Sequence, residues 1–168
     1  MNYAGAGLIL LSSDLTSTLL VRDARSGKWG FPKGHREDTD ASDYACAIRE
    51  CFEETGLTAE DYAVHDEVFK ISKGGQAYLF RYAVMKSDGR RLRAGPAYEI
   101  GGLEWVPLQT LFGAQNIIDG NKYLRTWISD MKAGTTKKSI NVFRSLLSGI
   151  RFAPLNESVC SSNIVTCS

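Results

Sequence analysis

Three glutamates lie within five residues of the stretch RECFEETGL, which runs from position 49 to position 57. Glu50, Glu53 and Glu54 are spaced three and four residues apart, so a helix would place them on one face. Like charges this close repel one another, and Arg49 is the only cation nearby in the sequence. A divalent ion would relieve the repulsion, and carboxylate oxygens suit Mg²⁺ and Mn²⁺. The spacing therefore predicts a metal site, and it leaves a solvated acidic helix face open as the alternative.

The acidic stretch has the composition of a helix that follows a loop rich in glycine and proline. We predict this helix from Ser42 to Thr55, with Ser42 or Asp40 as its cap and Gly56 just beyond its end. An apolar stripe at helical spacing is predicted to pack on the core. It consists of Tyr44, Ile48, Cys51 and Phe52. On this arrangement the three carboxylates stand together at the surface, away from the apolar stripe.

Apolar runs on either side of this helix predict a sheet. The predicted strands are residues 6–12, 17–23, 66–72, 76–85 and 103–106, with residues 73–75 as the turn of a hairpin. The segment 26–34 is predicted to be a loop, because glycine and proline interrupt it. Two further helices are predicted at 116–132 and 139–150. This order of elements predicts a mixed sheet covered by helices.

The composition is that of an ordinary soluble globular chain. Its 168 residues suffice for one domain, which we place at residues 1–150, with a flexible tail at 151–168. The net charge of +1 does not by itself indicate nucleic acid, and no apolar run is long enough for a membrane span or a signal peptide. We therefore expect a cytoplasmic protein without a membrane partner. The cysteines lack the spacing of a zinc site and are predicted to be reduced and mostly buried.

The stretch RECFEETGL resembles the core of the Nudix box, in which Arg-Glu, an apolar residue, any residue, Glu-Glu, any residue, Gly and an apolar residue follow in order. Upstream, Gly34 in PKG resembles the glycine that opens the box. The spacing from Gly34 to Arg49 is one residue longer than in the family, so the first glutamate of the box would fall at Ala41. We take Asp40 as its stand-in, and the longer spacing leaves the conformation of the loop open.

The resemblance implies an α/β fold, namely an α/β/α sandwich around a mixed β-sheet, with additional C-terminal helices. It also implies a hydrolase that uses Mg²⁺ or Mn²⁺ and cleaves a nucleoside diphosphate linked to another group. Carried over by position, the metal ligands would be Glu50, Glu53 and Glu54, and the backbone carbonyl of Gly34 would add another. Glu53 and Glu54 would also be catalytic. Arg49 would anchor the loop and orient a glutamate through an ion pair.

A carboxylate from outside the helix often completes sites of this family. Glu99 precedes Trp105 by six residues, and a catalytic glutamate lies at a similar place in mRNA-decapping enzymes and diadenosine tetraphosphate hydrolases. The resemblance therefore implies that Glu99 is a general base or an additional metal ligand, with a solvated loop acid as the alternative. Glu104 is the next candidate, although its place in a predicted strand favours a solvent-facing side chain.

Two branches of the family compete for the substrate. GKWGFPKG, ACAIRECFEETG and EIGGLEWVPLQTL resemble the mRNA-decapping enzymes, whereas PKGH is similar to the diadenosine tetraphosphate hydrolases. Between residues 115 and 151, seven residues are basic and two are acidic, which favours a polyanion such as RNA. We therefore predict the 5′ cap of mRNA as the substrate, with a dinucleotide polyphosphate as the alternative. An inactive nucleotide- or RNA-binding module is the alternative of another class.

Side chains outside the acidic helix are predicted to contact the substrate. Phosphate contacts near the metal are assigned to Lys33, His35 and Arg22. Stacking on a base is assigned to Tyr98, with Trp29 and Tyr78 as further candidates. Each has an ordinary structural alternative, namely an exposed loop residue or a core aromatic.

The basic segment and a partner protein complete the prediction. Contacts to the RNA chain are assigned to Lys122, Arg125 and Lys132, with a solvated basic helix as the alternative. The decapping enzymes usually carry a helical regulatory domain ahead of the Nudix fold, and we expect none here because the sequence begins almost at the first predicted strand. A regulatory protein partner is therefore a further candidate.

Overall fold

The fold is seen in a computed structural model that describes residues 2–88, 92–96, 98–134 and 143–144. Within these ranges, eight strands form one sheet and three helices accompany it. In chain order the strands are β1 (Gly5–Leu11), β2 (Ser17–Asp23), β3 (Trp29–Gly30), β4 (Lys33–His35), β5 (Tyr62–Val64), β6 (Phe69–Lys73), β7 (Gln76–Met85) and β8 (Ile100–Pro107). The helices are α1 (Asp43–Thr55), α2 (Leu108–Phe112) and α3 (Lys122–Ala133).

The central strand β1 makes the sheet mixed. It runs parallel to β7 and antiparallel to β2 and β4. On one side β2 also pairs with β3 and β8, and on the other β7 pairs with β5 and β6, all antiparallel. The predicted mixed sheet is therefore confirmed.

β1 is buried on both faces, which explains its continuous apolar sequence GAGLILL. Alternate side chains of a strand point to opposite faces. Leu8 and Leu10 therefore join the hydrophobic cluster that includes α1, whereas Ile9 and Leu11 join the cluster that includes α2 and α3. Because helices cover both faces of the sheet, the predicted α/β/α sandwich is confirmed.

α1 begins and ends as the sequence predicts. The hydroxyl of Ser42 accepts a hydrogen bond from the N–H of Ala45, and Gly56 closes the helix with a left-handed φ of 78°. The predicted apolar stripe is wrong in part, because Tyr44 and Phe52 are 42% and 45% exposed. The face on the sheet has smaller side chains instead, which let the helix lie close to β1. These buried residues are Cys46, Ala47, Cys51 and Thr55.

The predicted hairpin is confirmed, and three short strands were not predicted. Gly74 and Gly75, with φ of 60° and 79°, join β6 to β7 in the conformation that two-residue hairpin turns require. The segment predicted as a loop, residues 26–34, contains β3 and the first two residues of β4. These strands and β5 have two or three residues each, too few to show a period of alternation.

The helix predicted at residues 116–132 begins later, at Lys122. The side chain of Asn121 caps it by accepting hydrogen bonds from the N–H groups of Tyr123 and Leu124. The short helix α2 after Pro107 was not predicted. α3 is fixed to the sheet by Trp127, whose fully buried indole N–H donates to the hydroxyl of Tyr82 at 2.9 Å.

Part of the prediction lies outside the described residues. Of the helix predicted at 139–150, only Phe143 and Arg144 are described, and Phe143 is buried against Tyr82 and Trp127. The domain boundary at residue 150 and the tail 151–168 also lie outside, and both stay predictions.

The described cysteines and helices agree with the expectations from composition. Cys46 and Cys51 are buried and not bonded to one another. Among the residues that the structure describes, no helix is both long and apolar enough to cross a bilayer. The cytoplasmic location stays a prediction.

Candidate active site

A cleft of about 470 Å³ lies where α1, β4, the end of β2 and the 98–100 segment meet. Its walls carry side chains of both charges. Seven residues that the sequence predicted for the site line it, namely Lys33, Gly34, His35, Glu50, Glu54, Tyr98 and Glu99. The fold therefore brings the acidic helix, the box loop and the 98–100 segment together at one place.

Glu50 and Glu54 lie one helical turn apart and both face the cleft. Burial raises the pKa of Glu54 to about 8, and the charge of Glu50 adds to the increase. Burial likewise raises the pKa of Glu50, whose side chain is 13% exposed. The expectation that all three carboxylates stand at the surface is therefore wrong for these two. The reason is that β4 covers this face of α1, with Gly34 so close that a Cβ atom there would collide with the Glu50 carboxylate.

Arg49 ties the loop before α1 to the acidic face of the helix. Its Nε and Nη2 atoms donate to the two carboxylate oxygens of Asp40, each at 2.9 Å. Its Nη1 atom donates to Oε1 of Glu50 at 2.8 Å, and Nη2 also donates to the carbonyl of His35 at 3.0 Å. The hydrogen bonds from Arg49 hold the pKa of Asp40 well below its usual range. Asp40 thus makes the ion pair with Arg49 that its role as a stand-in for the first box glutamate requires.

Glu53 lies outside the cleft lining. Its side chain is 52% exposed, and both its oxygens accept a hydrogen bond from Nη1 of Arg49 at 3.3 Å. The structure therefore brings Glu50 and Glu54 together in the cleft but not Glu53. The metal-binding and catalytic roles of Glu53 stay predictions.

Lys33 is a second cation beside the carboxylates, although it is distant from them in the sequence. Its Nζ atom lies 4.5 Å from the ring centre of Tyr78 and 5.1 Å from that of Tyr123. Burial lowers the pKa of Lys33, and the charges of Glu54 and Glu50 oppose this effect. Tyr78 is buried, so its ring packs against this ammonium group and the suggestion that it stacks on a base is wrong.

The 98–100 segment contributes Tyr98 and Glu99 to the cleft. The charge of Glu99 is one of the causes that raise the pKa of Glu54, after burial and Glu50. The carbonyl of Glu99 accepts a hydrogen bond from the N–H of Ala24 at 2.8 Å, which ties the segment to the turn after β2. The ring of Tyr98 is 69% exposed and accessible to a ligand. Glu104 is exposed on β8 and does not line the cleft.

His35 and Arg22 differ in their relation to the cleft. His35 lines it, and its Nε2 atom lies 3.3 Å from the hydroxyl of Tyr78. Arg22 does not line it, because Val21 does and neighbouring side chains of a strand point to opposite faces. The Nη2 atom of Arg22 donates instead to the carbonyl of Gly101 at 2.7 Å.

Four polar residues of the cleft were missed by the sequence reasoning. They are Asp23, Arg25, Lys28 and Asn121. The carboxylate of Asp23 accepts hydrogen bonds from the N–H groups of Arg25 and Ser26, both at 2.8 Å, and so shapes the turn that carries the two cations. The Asp-x-Arg-Ser-Gly-Lys pattern directly after a predicted strand was the signal that could have located these cations.

A basic groove of about 480 Å³ lies along α3 and β6. Lys122 and Arg125 line it, as does Lys73, which the sequence analysis did not select. The Nζ atoms of Lys122 and Lys33 lie 5.2 Å and 5.1 Å from the ring centre of Tyr123, so the groove begins near the cleft. Lys132 lies in the last turn of α3, is exposed and does not line the groove.

The donor atoms of the cleft suit a hard divalent cation. Glu50, Glu54 and Glu99 supply only oxygen ligands, and a cation beside them would oppose the burial and the charge of Glu50 that raise the pKa of Glu54. Over the described ranges, no three Asp, Glu, His or Cys side chains already converge as a metal site. Mg²⁺ typically binds one or two carboxylates and completes its coordination shell with water and phosphate. Two adjacent carboxylates are therefore enough protein ligands for it.

Comparisons with known proteins identify similar sequences. The family described as NUDIX domain matches residues 1–130. Subunit 2 of the mRNA decapping complex of Schizosaccharomyces pombe is 34% identical over 106 residues, which cover 62% of this chain and 14% of the relative. Putative hydrolase 111R of Invertebrate iridescent virus 3 is 33% identical over 96 residues, covering 57% of this chain and 55% of the relative. The chain thus spans between 14% and 55% of the length of these two relatives.

Solved structures share the fold. An Ap4A hydrolase of C. elegans in a binary complex superposes with a TM-score of 0.58 and 23% identity, covering 78% of this chain and 99% of that one. A MutT protein from Methanosarcina mazei Go1 superposes with a TM-score of 0.57 and 20% identity, covering 80% and 96%. The family match extends over 130 of the 168 residues and includes the acidic helix, its loop and the 98–100 segment. The resemblance inferred from RECFEETGL is therefore confirmed, and the chain belongs to the Nudix family.

Proposed function

We propose that this chain is a metal-dependent pyrophosphohydrolase that cleaves a nucleoside diphosphate linkage. The observation that carries the proposal is the pair of half-buried carboxylates, Glu50 and Glu54, which line one cleft together with Lys33. Two carboxylates of raised pKa next to an ammonium group suit a divalent cation together with a phosphate chain.

The metal, Mg²⁺ or Mn²⁺, would be held by Glu50 and Glu54, with Glu99 and the carbonyl of Gly34 as further donors. When bound, the ion would neutralise phosphate oxygens and lower the pKa of a water molecule. Arg49 would hold Glu50 in place through its bonds to both Glu50 and Asp40. Glu53 accepts a hydrogen bond from the same Arg49 side chain, and its negative charge would add to that of the metal site from the exposed side of the helix.

The other cleft residues would position the substrate and move the proton. The attacking water forms a bond to phosphorus, the bridging P–O bond breaks, and Glu99 accepts the proton of the water as general base. Lys33 and the cations of the turn after β2, Arg25 and Lys28, would neutralise phosphate oxygens as charge moves to the leaving group. His35 would contact the same phosphates, and Tyr98 would stack on a base.

The 5′ cap of RNA is the substrate that we favour. Relatives include a decapping subunit from Schizosaccharomyces pombe and one from Arabidopsis thaliana, which is 38% identical over 65 residues. The basic groove with Lys73, Lys122 and Arg125 would carry the RNA chain away from the cleft, with Lys132 further along α3. Because the Schizosaccharomyces pombe relative is a subunit of a complex, a regulatory protein partner is part of this proposal.

A substrate comparison tests this proposal. The protein would be incubated with Mg²⁺ or Mn²⁺ and either cap-labelled RNA or diadenosine tetraphosphate. Release of 7-methylguanosine diphosphate is the expected result. Turnover of the dinucleotide alone would favour the second branch of the family, to which PKGH is similar. Binding of either compound without turnover would contradict the enzymatic proposal and favour an inactive binding module.

Replacing Glu99 with glutamine is expected to lower kcat by on the order of 10²-fold, because the amide cannot accept the proton of the attacking water. The matched control is Glu104→Gln, which changes an exposed glutamate of β8 outside the cleft. Steady-state kinetics at saturating Mg²⁺ would measure both. Equal rates for the two variants would contradict the role of Glu99.

Replacing Lys122 and Arg125 together with alanine is expected to raise KM for capped RNA about tenfold and to leave KM for diadenosine tetraphosphate unchanged. The reason is that only the RNA chain extends into the basic groove, and removing two phosphate contacts also flattens the dependence of binding on salt. Lys86→Ala is the control, because Lys86 is exposed and lines neither the cleft nor the groove. The same KM change for both substrates would contradict an RNA path along α3.

A further inference from the structure

We propose that Gly95 is a positioning residue that holds the Glu99 segment against the end of α1 and thereby fixes the Glu99 carboxylate relative to Glu54. This inference rests on the function proposed above. It concerns a residue outside the cleft lining, which neither the motif nor the charge pattern of the sequence selects. The placement of Gly95 follows from the hydrogen bonds and the close contacts at the end of α1.

The C-terminal end of α1 is satisfied by a segment that is distant in the sequence. The last carbonyl groups of a helix lack partners within the helix. The N–H of Gly56 donates to the carbonyl of Phe52 at 2.9 Å, and two further carbonyls receive their bonds from residues 92–96. The N–H of Gly95 donates to the carbonyl of Glu54 at 3.1 Å, and the N–H of Arg93 donates to that of Thr55 at 2.9 Å. The backbone of Glu54 is thus bonded directly to Gly95.

This close approach requires the absence of a side chain at position 95. A Cβ atom there would lie 2.5 Å from the carbonyl oxygen of Glu53 and 3.2 Å from Cγ1 of Ile100. The first distance is shorter than real Cβ contacts, and the atom that it meets belongs to the helix backbone, which cannot rotate away. Gly95 does not have a positive φ, so it is the space and not the backbone conformation that demands glycine.

Pro96, the neighbour of Gly95, is hydrogen-bonded to the Glu99 segment. The carbonyl of Pro96 accepts hydrogen bonds from the N–H groups of Glu99 at 2.9 Å and of Ile100 at 2.8 Å. The carbonyl of Glu99 in turn accepts from the N–H of Ala24. A displacement of Gly95 from α1 is therefore transmitted to Glu99, whereas Glu54 stays on the helix.

Kinetics of Gly95→Ala test this inference. We expect kcat to fall roughly tenfold to a hundredfold, the cost of a catalytic group displaced by about 1 Å, with KM unchanged. The control is Gly113→Ala, in which the new Cβ atom would lie 3.0 Å from the carbonyl oxygen of Gln109, a backbone atom of α2 and not of α1. A fall in kcat of equal size in both variants would overturn the inference.

A double-mutant cycle separates positioning from a general structural effect. If Gly95 acts through Glu99, then Gly95→Ala should cost almost nothing in an enzyme that already carries Glu99→Gln. If the fold reductions in kcat of the two single variants multiply in the double variant, the inference is overturned. The inference would also be overturned if the single variant Glu99→Gln were fully active while the single variant Glu54→Gln were inactive. That result would leave the proposed hydrolase function standing.

Hydrogen exchange measured by NMR tests the same link without turnover. In the wild-type protein, the amides of Arg93, Gly95 and Ala24 should open with one common free energy, and in Gly95→Ala all should exchange faster. Opening of Ala24 independently of Arg93 and Gly95 would overturn the inference, even if the variant folds too poorly for kinetics. Common opening in a protein that cleaves no phosphate substrate would support the link and reject the proposed function.

Discussion

Glu54→Gln is expected to lower kcat by on the order of 10³-fold and to leave the fold intact. The amide keeps the shape of the side chain but removes the charge that would hold the metal ion at the centre of the cleft. Glu60→Gln is the matched control, because Glu60 is an exposed glutamate just beyond α1. Kinetics with Mg²⁺ and a thermal unfolding curve would be recorded for both. Wild-type turnover by Glu54→Gln would show that this carboxylate is not part of the active site.

The pH dependence of stability gives the same variant a second readout. The folded-state pKa of Glu54 is raised from 4.5 to about 8, so folding favours its protonated form. In metal-free protein this contribution is fully present below about pH 4.5 and is lost as the pH rises through about 8. The free energy of unfolding of the wild type should therefore fall over this range relative to that of Glu54→Gln. Parallel curves for the two proteins would contradict the burial of the charge.

Arg49→Ala is expected to lower the free energy of unfolding by about 3 kcal/mol, because it leaves buried carboxylates without their partner. Most of this cost comes from Asp40, because its side chain is only 4% exposed and Arg49 donates to both of its carboxylate oxygens. Turnover should fall as well, since Glu50 loses the hydrogen bond that holds it. Urea unfolding and kcat would be measured on the same preparations.

Two further variants show whether the loss comes from unpaired charge. Arg81→Ala removes a single ion pair, to Asp43, and is expected to cost about 1 kcal/mol. Adding Asp40→Asn to Arg49→Ala removes the stranded carboxylate and should restore part of the stability. Equal costs for Arg49→Ala and Arg81→Ala, or no recovery in the double variant, would contradict the role of Arg49 as the common partner of several carboxylates.

Features of the fold that depend on neighbouring residues were predictable from the sequence. The cap at Ser42, the end at Gly56 and the turn at Gly74 and Gly75 each follow from the conformational preference of one residue type. The long strands β1, β2 and β7 follow from apolar runs. The acidic motif located the helix of the active site for a similar reason, because the three- and four-residue spacing of its glutamates depends only on the periodicity of that helix.

Features that depend on what packs against an element were not predictable. Glu50 and Glu54 are half-buried and Glu53 is exposed because β4 covers one side of α1. The position of Lys33 in the same cleft as these carboxylates likewise depends on the pairing of β4 with β1. The misassignment of Arg22 has the same origin, because only the assembled sheet shows that the face of β2 with Val21 borders the cleft.

The parallel pairing of β1 with β7 also has a consequence for how the protein is made. Gly5 pairs with Tyr78 and Leu11 with Val84, so β1 leaves the ribosome well before the strand with which it pairs. Closing so long a segment slows folding, and the local hairpin of β6 and β7 can form before β1 joins it. During this interval GAGLILL has an unpaired edge and no polar side chain. This segment is therefore where a nascent chain most needs a chaperone to prevent association with other chains.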